Sequence, residues 1–377
     1  MSYSERTRRR PLRGGLLLTL AAVNIVLTLA LIVSDYAGYL DPAQYRWSGI
    51  AIMCFPILAV VSLILFLFNT LLLRCVKIGM INLAGLLICS PLLWSYCPLN
   101  FPEKPKEDEK TIRILTYNVQ AFLDQQTGEI DPKRDNPSLQ FILKEDADIV
   151  CIQEIGPLAW TRPTQISKAE VDSLYRRYPY RLIPPFKRGL LSIYSKYPLR
   201  KIEMDLSGKY YCEAMAARVD VDGFEFDLVN VHLESFGLTK DDKSLYRSIT
   251  KGKTRRDEID DVKEQLLLKI ARASEERGVQ AMEIKHFADT ASRNLIVCGD
   301  FNDVPGCYTL RTLARTGLKE TYPKAGFGPA ITYWVNRFYF RIDHILYRGQ
   351  FRPVSIDRPT AKSSDHYPLI ATYVINP

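Results

Sequence analysis

The chain has 377 residues, 47% of them hydrophobic and 24% charged, with a net charge of +8. That length suits a membrane part plus one large domain, or two domains. Residues 1–100 carry a net +5 and the remainder only +3, so the large C-terminal part is nearly balanced and its overall charge gives little support to a nucleic-acid surface. Eight cysteines occur without a CxxC or Cys/His zinc spacing, which argues against a structural zinc module.

Three long apolar runs come first: Gly15 to Val33, Gly49 to Leu73 and Gly79 to Pro98. Each is close to the ~20 residues that cross a bilayer, and none has the polar face of a buried core helix. A cleaved leader would explain the first run but not the next two. The expectation is three transmembrane helices in residues 1–100. The arginine-rich head and the Arg74/Lys77 loop should face the cytoplasm. An odd number of spans then puts the C-terminal part on the extracytoplasmic side of the cell (inner) membrane. Residues 101–110, FPEKPKEDEK, read as a linker, and 111–377 as one domain.

From Thr111 apolar strands dominate. TIRILTYNVQ is a strand ending at Asn118, and PSLQFILKEDA is a short helix with Asn136 as cap and Pro137 at its first position. ADIVCIQEI is a strand ending at Glu154, and GLLSIYSKYPL a strand stopped by Pro198. AMAARVDVDGFEFDLVNVHLES is a hairpin turning at Asp222-Gly223, its second arm ending at His232. A helical region from Arg256 to Ala291 is expected to break near Gly278. NLIVCGDFND, RIDHILYRG and SSDHYPLIATYVI close the chain. Two packed sheets flanked by helices fit this order better than a doubly wound parallel sheet.

The polar residues cluster by position. Asn118, Glu154, His232 and Asp300 end their strands, whereas Asp343, Asp365 and His366 stand at or just before the start of theirs. If the late strands run antiparallel to the early ones, all seven meet at one edge. Unpaired charge beside a core is costly, so packing alone does not ask for them. Glu154, with Asn118 and Asp365, offers the oxygen ligands that a hard cation prefers. A histidine with a carboxylate partner suits proton transfer or charge developing on phosphate. No Gly-rich phosphate loop, GxSxG elbow or HExxH motif is present.

At these residues the sequence resembles the endonuclease/exonuclease/phosphatase superfamily. The motifs run in family order: LTYNVQ, IVCIQEI, VNVHLES, GDFND, RIDHIL and SDHYP. The resemblance implies an α+β, four-layer α/β/β/α sandwich of the DNase I type, a divalent cation (Mg²⁺, with Mn²⁺ or Ca²⁺ as alternatives) and in-line attack by water on a phosphodiester. It implies Glu154 as the principal metal ligand with Asn118 and Asp365 nearby, and Asp300 as the group that orients or deprotonates water. Asn302 would position the phosphate, and His232 and the His366–Asp343 pair would stabilise its charge. Asp303 reads as turn chemistry. One departure stands out. Family members of the DNase I kind place an acid on the strand matching Gly189–Ser195 to hold the first histidine, and KRGLLSIYSKYP has none. His232 is then held by Asn230, by another carboxylate or by nothing.

Substrate is the open point. A nuclease-type substrate is slightly favoured. A lipid head-group phosphodiester or phosphate is the alternative, and a binding protein on the same fold a third. Lys240–Arg256 is strongly basic, with Lys251, Lys253, Arg255 and Arg256 as candidate contacts to a polyanion or an anionic head group. The partners expected are a phosphoester and the bilayer; no protein partner follows.

Overall fold

The computed structural model describes the chain except residues 1–2, 102, 124–134, 156–165, 184–189, 207, 211, 238–255, 336–338 and 376–377. The N-terminal part is helical: α1 (Tyr3–Ala37), α2 (Ser48–Met53), α3 (Phe55–Leu67, continued by a π turn over Phe68–Leu72), α4 (Val76–Ile88) and α5 (Ser90–Tyr96). Two helical stretches, Gly15–Ala37 and Phe55–Leu72, are long and apolar enough to cross a membrane. The third run departs from the expected single span, because α4 and α5 are bent by 70°. Pro91 sits in the first turn of α5 and has no N–H to continue the ladder of α4. Among the described residues the candidate spans therefore number two, or three if the bent pair counts as one. Three asparagines tie this region together. Asn69 and Asn82 each donate to Asn24 Oδ1, at 2.9 and 2.5 Å, so that α1, the π turn and α4 share one buried polar contact. Such contacts join helices where lipid supplies no hydrophobic drive.

Two six-stranded sheets form the rest. The first has the order β11 (Phe351–Asp357), β12 (Leu369–Ile375), β1 (Thr111–Asn118), β2 (Ile149–Gln153), β4 (Ser192–Ser195), β3 (Tyr180–Leu182). The second has β5 (Leu199–Ile202), β6 (Glu213–Val221), β7 (Phe224–His232), β8 (Leu295–Asp300), β10 (Asp343–Arg348), β9 (Lys319–Glu320). Alternation along each strand sorts the side chains into layers. Ile112, Ile114 and Cys151 meet Phe226, Leu228 and Cys298 between the sheets. Leu115, Tyr117 and Ile152 face outward onto α6 (Pro137–Glu145) and α7 (Lys168–Arg177). Val229, Val231 and Val297 face the opposite way, onto α8 (Arg256–Thr290) and α9 (Tyr308–Ala314). This is the four-layer sandwich.

Local chemistry explains several elements. Asn136 caps α6 by accepting from the N–H groups of Ser138 and Leu139. Ser167 and Glu170 form a capping box on α7, a helix whose SKAE signal was not read from the sequence. Asp222 and Gly223 both have positive φ, as a two-residue hairpin turn demands. The expected break at Gly278 does not occur, and α8 runs through it. A glycine costs about 1 kcal/mol in a helix interior. Packing of Ile270, Ala271, Ile284 and Ala288 outweighs that cost. Gly278 lies where Tyr308 and Pro42 approach.

The apolar N-terminal helices are not a detached anchor. Leu31, Ile52, Phe55 and Leu92 share one core with Leu310, Leu313 and Val297. Arg311 pairs with Asp35 at 2.6 Å, and the buried Arg341 donates to Ser95 O at 2.6 Å. The expected linker is also tied down, since Arg352 pairs with Glu103 and Glu109.

Candidate active site

Strand direction brings the polar residues together. β1 and β2 are parallel, as are β7 and β8, whereas β12 and β10 run antiparallel to β1 and β8. The ends of the first four strands and the starts of the last two therefore share one edge. His232, Asp300 and Asp343 fall in adjacent register across the second sheet. Across the gap, Asn118 donates to Glu154 Oε1 at 3.0 Å and to Asp300 Oδ2 at 2.9 Å.

Asp300 lies between two imidazoles. His366 Nε2 is 3.6 Å from Asp300 Oδ2, and His232 Nε2 is 3.9 Å from the same oxygen. Each ring is held from behind by its own carboxylate. Asp343 Oδ2 meets His366 Nδ1 at 2.8 Å, and Glu213 Oε2 meets His232 Nδ1 at 2.9 Å. His232 Nε2 also lies 3.6 Å from Glu154 Oε1, yet this buried nitrogen has no hydrogen-bond partner among the described residues. Asn302 adopts φ 50° and returns its N–H to Asp300 Oδ1 at 2.9 Å, while its amide donates to Leu233 O at 3.0 Å. Glu154, also at φ 50°, Asp300, Asn302, Asp365 and His366 line one cavity of about 230 Å³ with Gln120, Phe236 and Tyr333.

Protonation follows from these contacts. Burial works against a charged His232, but the Glu213 hydrogen bond and the charges of Asp300, Glu154 and Glu213 outweigh it, raising its pKa to about 9. Burial likewise opposes charge on His366, and Asp343 and Asp300 overcome it, so its pKa lies well above the usual value. Asp300 is pushed up by burial and by Asp343, against the lowering pull of both histidines and of the Asn118 amide. The outcome is two imidazoliums flanking a carboxylate able to hold a proton.

Glu213 is the site residue that sequence reading missed. It answers what holds His232: another carboxylate, on the neighbouring strand. Asn230 serves elsewhere, donating to Ile152 O and Ser192 O at 3.0 Å each and so bolting the two sheets together. The signal was present. A two-residue turn at Asp222-Gly223 fixes the register and sets Glu213 directly opposite His232. Asp303 accepts from Val304 N and Thr309 Oγ1, as a turn residue would, and its Oδ2 also lies 3.4 Å from Nε of the fully buried Arg277, an ion pair that turn chemistry does not account for. Lys251, Lys253 and Arg255 lie outside the described residues, as does the side chain of Arg256.

Oxygen donors suited to a hard cation are present. The carboxylates of Glu154 and Asp365 line the cavity together, and Asp343 Oδ1 is buried without a partner among the described residues. Asp300, Asp343 and His366 also lie close enough to one another to hold an ion. The residues thus fit a divalent metal, on which enzymes of this class generally depend.

Two such sheets with this edge define a phosphoric ester hydrolase of the DNase I-like class. Residues 115–366 match the Endonuclease/Exonuclease/phosphatase family, and the chain belongs to it. Solved structures similar to it include an endonuclease/exonuclease/phosphatase from Beutenbergia cavernae (17% identity, 71% of this chain and 72% of that one, TM-score 0.47). Another, from Bacteroides vulgatus, has 18% identity over 71% of this chain and 100% of that one, with a TM-score of 0.47. The human Nocturnin catalytic domain with bound sulfate has 16% identity over 73% of this chain and 100% of that one, with a TM-score of 0.46. A search of the curated proteins gave no match.

Proposed function

We propose that the protein is a membrane-anchored, divalent-metal-dependent hydrolase in which water attacks a phosphodiester in line. The observation that carries this is Asp300 between two imidazoles, each held charged by its own carboxylate. A hard cation held by Glu154, Asp365 and the Asn118 carbonyl oxygen would polarise the phosphoryl group. Asp300, steered by Asn118 and Asn302, orients the attacking water and accepts its proton as the new P–O bond forms. His366 and Asn302 hold the non-bridging oxygens, where negative charge builds. As the bond to the leaving oxygen breaks, His232 supplies the proton, and Glu213 keeps that ring charged and aimed.

The catalytic domain belongs on the extracytoplasmic side of the inner membrane in this reading. Asp35, at the end of α1 remote from the arginine-rich head, pairs with Arg311 of the domain. Of the substrates, we favour a lipid head-group phosphoester over nucleic acid. The cavity belongs to a domain whose core is shared with the apolar N-terminal helices, which keeps it beside the bilayer.

The test uses the full chain in detergent with bis(p-nitrophenyl) phosphate. Turnover should need added Mg²⁺ and stop with excess EDTA. Turnover that survives exhaustive EDTA treatment refutes the metal-dependent reading.

A further inference from the structure

The chain leaves its last apolar helix at Tyr96 and does not cross open solvent to reach the catalytic domain. Gly328 N donates to Pro98 O at 2.7 Å, and Leu99 pairs as a bridge with Phe327. Asn100 N donates to Gly326 O, and the rings of Phe101 and Phe327 are 5.4 Å apart. These apolar side chains face outward all the same: Leu99 is 57% exposed, Phe101 79% and Phe327 55%. An exposed cluster of this kind normally marks a surface that meets something apolar. Here the neighbouring surface is the chain's own membrane segment.

Covalent reach sets the depth. Phe101 is five residues beyond Tyr96, so it lies within about 17 Å of the end of the apolar helix, and the backbone pairing of Pro98, Leu99 and Asn100 with 326–328 holds it beside that end. The polar interface of a bilayer adds about 5–7 Å on each side of the hydrocarbon core. Phe327 is fixed to Leu99 by backbone pairing and shares its depth. α5 is bent 70° from α4 and carries Trp94, whose Nε1 donates to Pro323 O at 2.8 Å. A short apolar helix turned across its predecessor, with a tryptophan, is the usual furniture of the interface.

The same segment leads into the catalytic cavity. Tyr333 pairs with His366 as a bridge and lines the cavity. Tyr333 is six residues beyond Phe327, so the two are at most about 20 Å apart along the chain.

We propose that Leu99, Phe101 and Phe327 form a collar that seats the catalytic domain in the interfacial layer, so that the cavity takes the phosphoester head group of a membrane lipid. This rests on the hydrolase reading above, and holds on whichever side of the membrane the domain lies. The collar lets a head group reach Asp300 and His366 while its acyl chains stay in the bilayer.

Two measurements on the full chain in nanodiscs of phosphatidylethanolamine, phosphatidylglycerol and sphingomyelin test it. In the first, a benzophenone amino acid replaces Phe101, Phe327 or, as control on the far sheet edge, Tyr180. Irradiation should give lipid adducts at 101 and 327 and none at 180. No adduct at 327 overturns the seating, whatever the enzyme's activity. In the second, Phe327→Asp should lower turnover of nanodisc lipid at least tenfold and leave bis(p-nitrophenyl) phosphate turnover within twofold. Equal loss on both substrates, unchanged lipid turnover, or faster cleavage of a DNA oligonucleotide than of any of the three lipids overturns the substrate assignment. Failure of the wild-type chain to cleave the soluble diester with Mg²⁺ would instead sink the hydrolase reading, while the adducts still report the seating.

Discussion

Replacing Glu213 by Gln should move the alkaline limb of catalysis. The wild-type imidazole of His232 rises from 6.5 to about 9, which at about 1.4 kcal/mol per unit corresponds to about 3 kcal/mol favouring the charged ring. Three carboxylates supply it against burial: Glu213 at 2.9 Å, Glu154 at 3.6 Å and Asp300 at 3.9 Å. Only Glu213 makes the hydrogen bond, and a cation beside Glu154 would offset that carboxylate's charge, enlarging the share of Glu213. A carboxylate in contact shifts its partner by about 1–3 units, so the variant should lose about 1–2. The alkaline limb of kcat/KM for a soluble diester, measured with saturating Mg²⁺, should fall from near pH 9 to between about 7 and 8. Stability follows with a definite sign. A raised histidine contributes fully below the unfolded pKa of about 6.5 and loses that contribution as pH rises through about 9. The wild type should therefore weaken over that window, and Glu213→Gln should show a flatter profile. A folded variant whose alkaline limb stays at the wild-type position would refute Glu213 as the group that holds His232 charged.

Three other outcomes are expected. Asp300→Asn and His366→Ala should each lose about 10²-fold or more in kcat with an unchanged circular dichroism spectrum; near-normal turnover in either removes that residue from the mechanism. Arg341→Met should cost about 1–3 kcal/mol in denaturant titration, because it removes the buried guanidinium from the half-buried Glu320, leaving His344 as that carboxylate's remaining partner, and takes a donor from the Ser95 carbonyl; a loss under about 0.5 kcal/mol would show that the pair is dispensable. Fusions at Pro377 should give active alkaline phosphatase and dark green fluorescent protein, and the reverse pattern would place the domain in the cytoplasm.

The strand ends were legible because their chemistry is local. An apolar run that ends in Asn, Glu, His or Asp can be read without knowing its neighbours, and four such runs, followed by two that start from Asp or Asp-His, point to one edge. The cap at Asn136 and the turn at Asp222-Gly223 are equally local, since each depends on a few consecutive residues. Gly278 misled because helix propensity is a small effect, and the packing that overrides it, through Ile270, Ala271, Ile284 and Ala288, is tertiary. The bend in the third run was not legible, because hydropathy averages over Pro91 while the backbone cannot. What only the tertiary structure decided is pairing between elements. Glu213 holds His232 because two strands share a register, and Arg341 reaches Ser95 because an apolar helix packs on a catalytic domain more than 200 residues away. Sequence fixes which side chains want partners. Which partner each one meets is set by how the layers close around a common core, since burial leaves a charged group only the neighbours that packing brings.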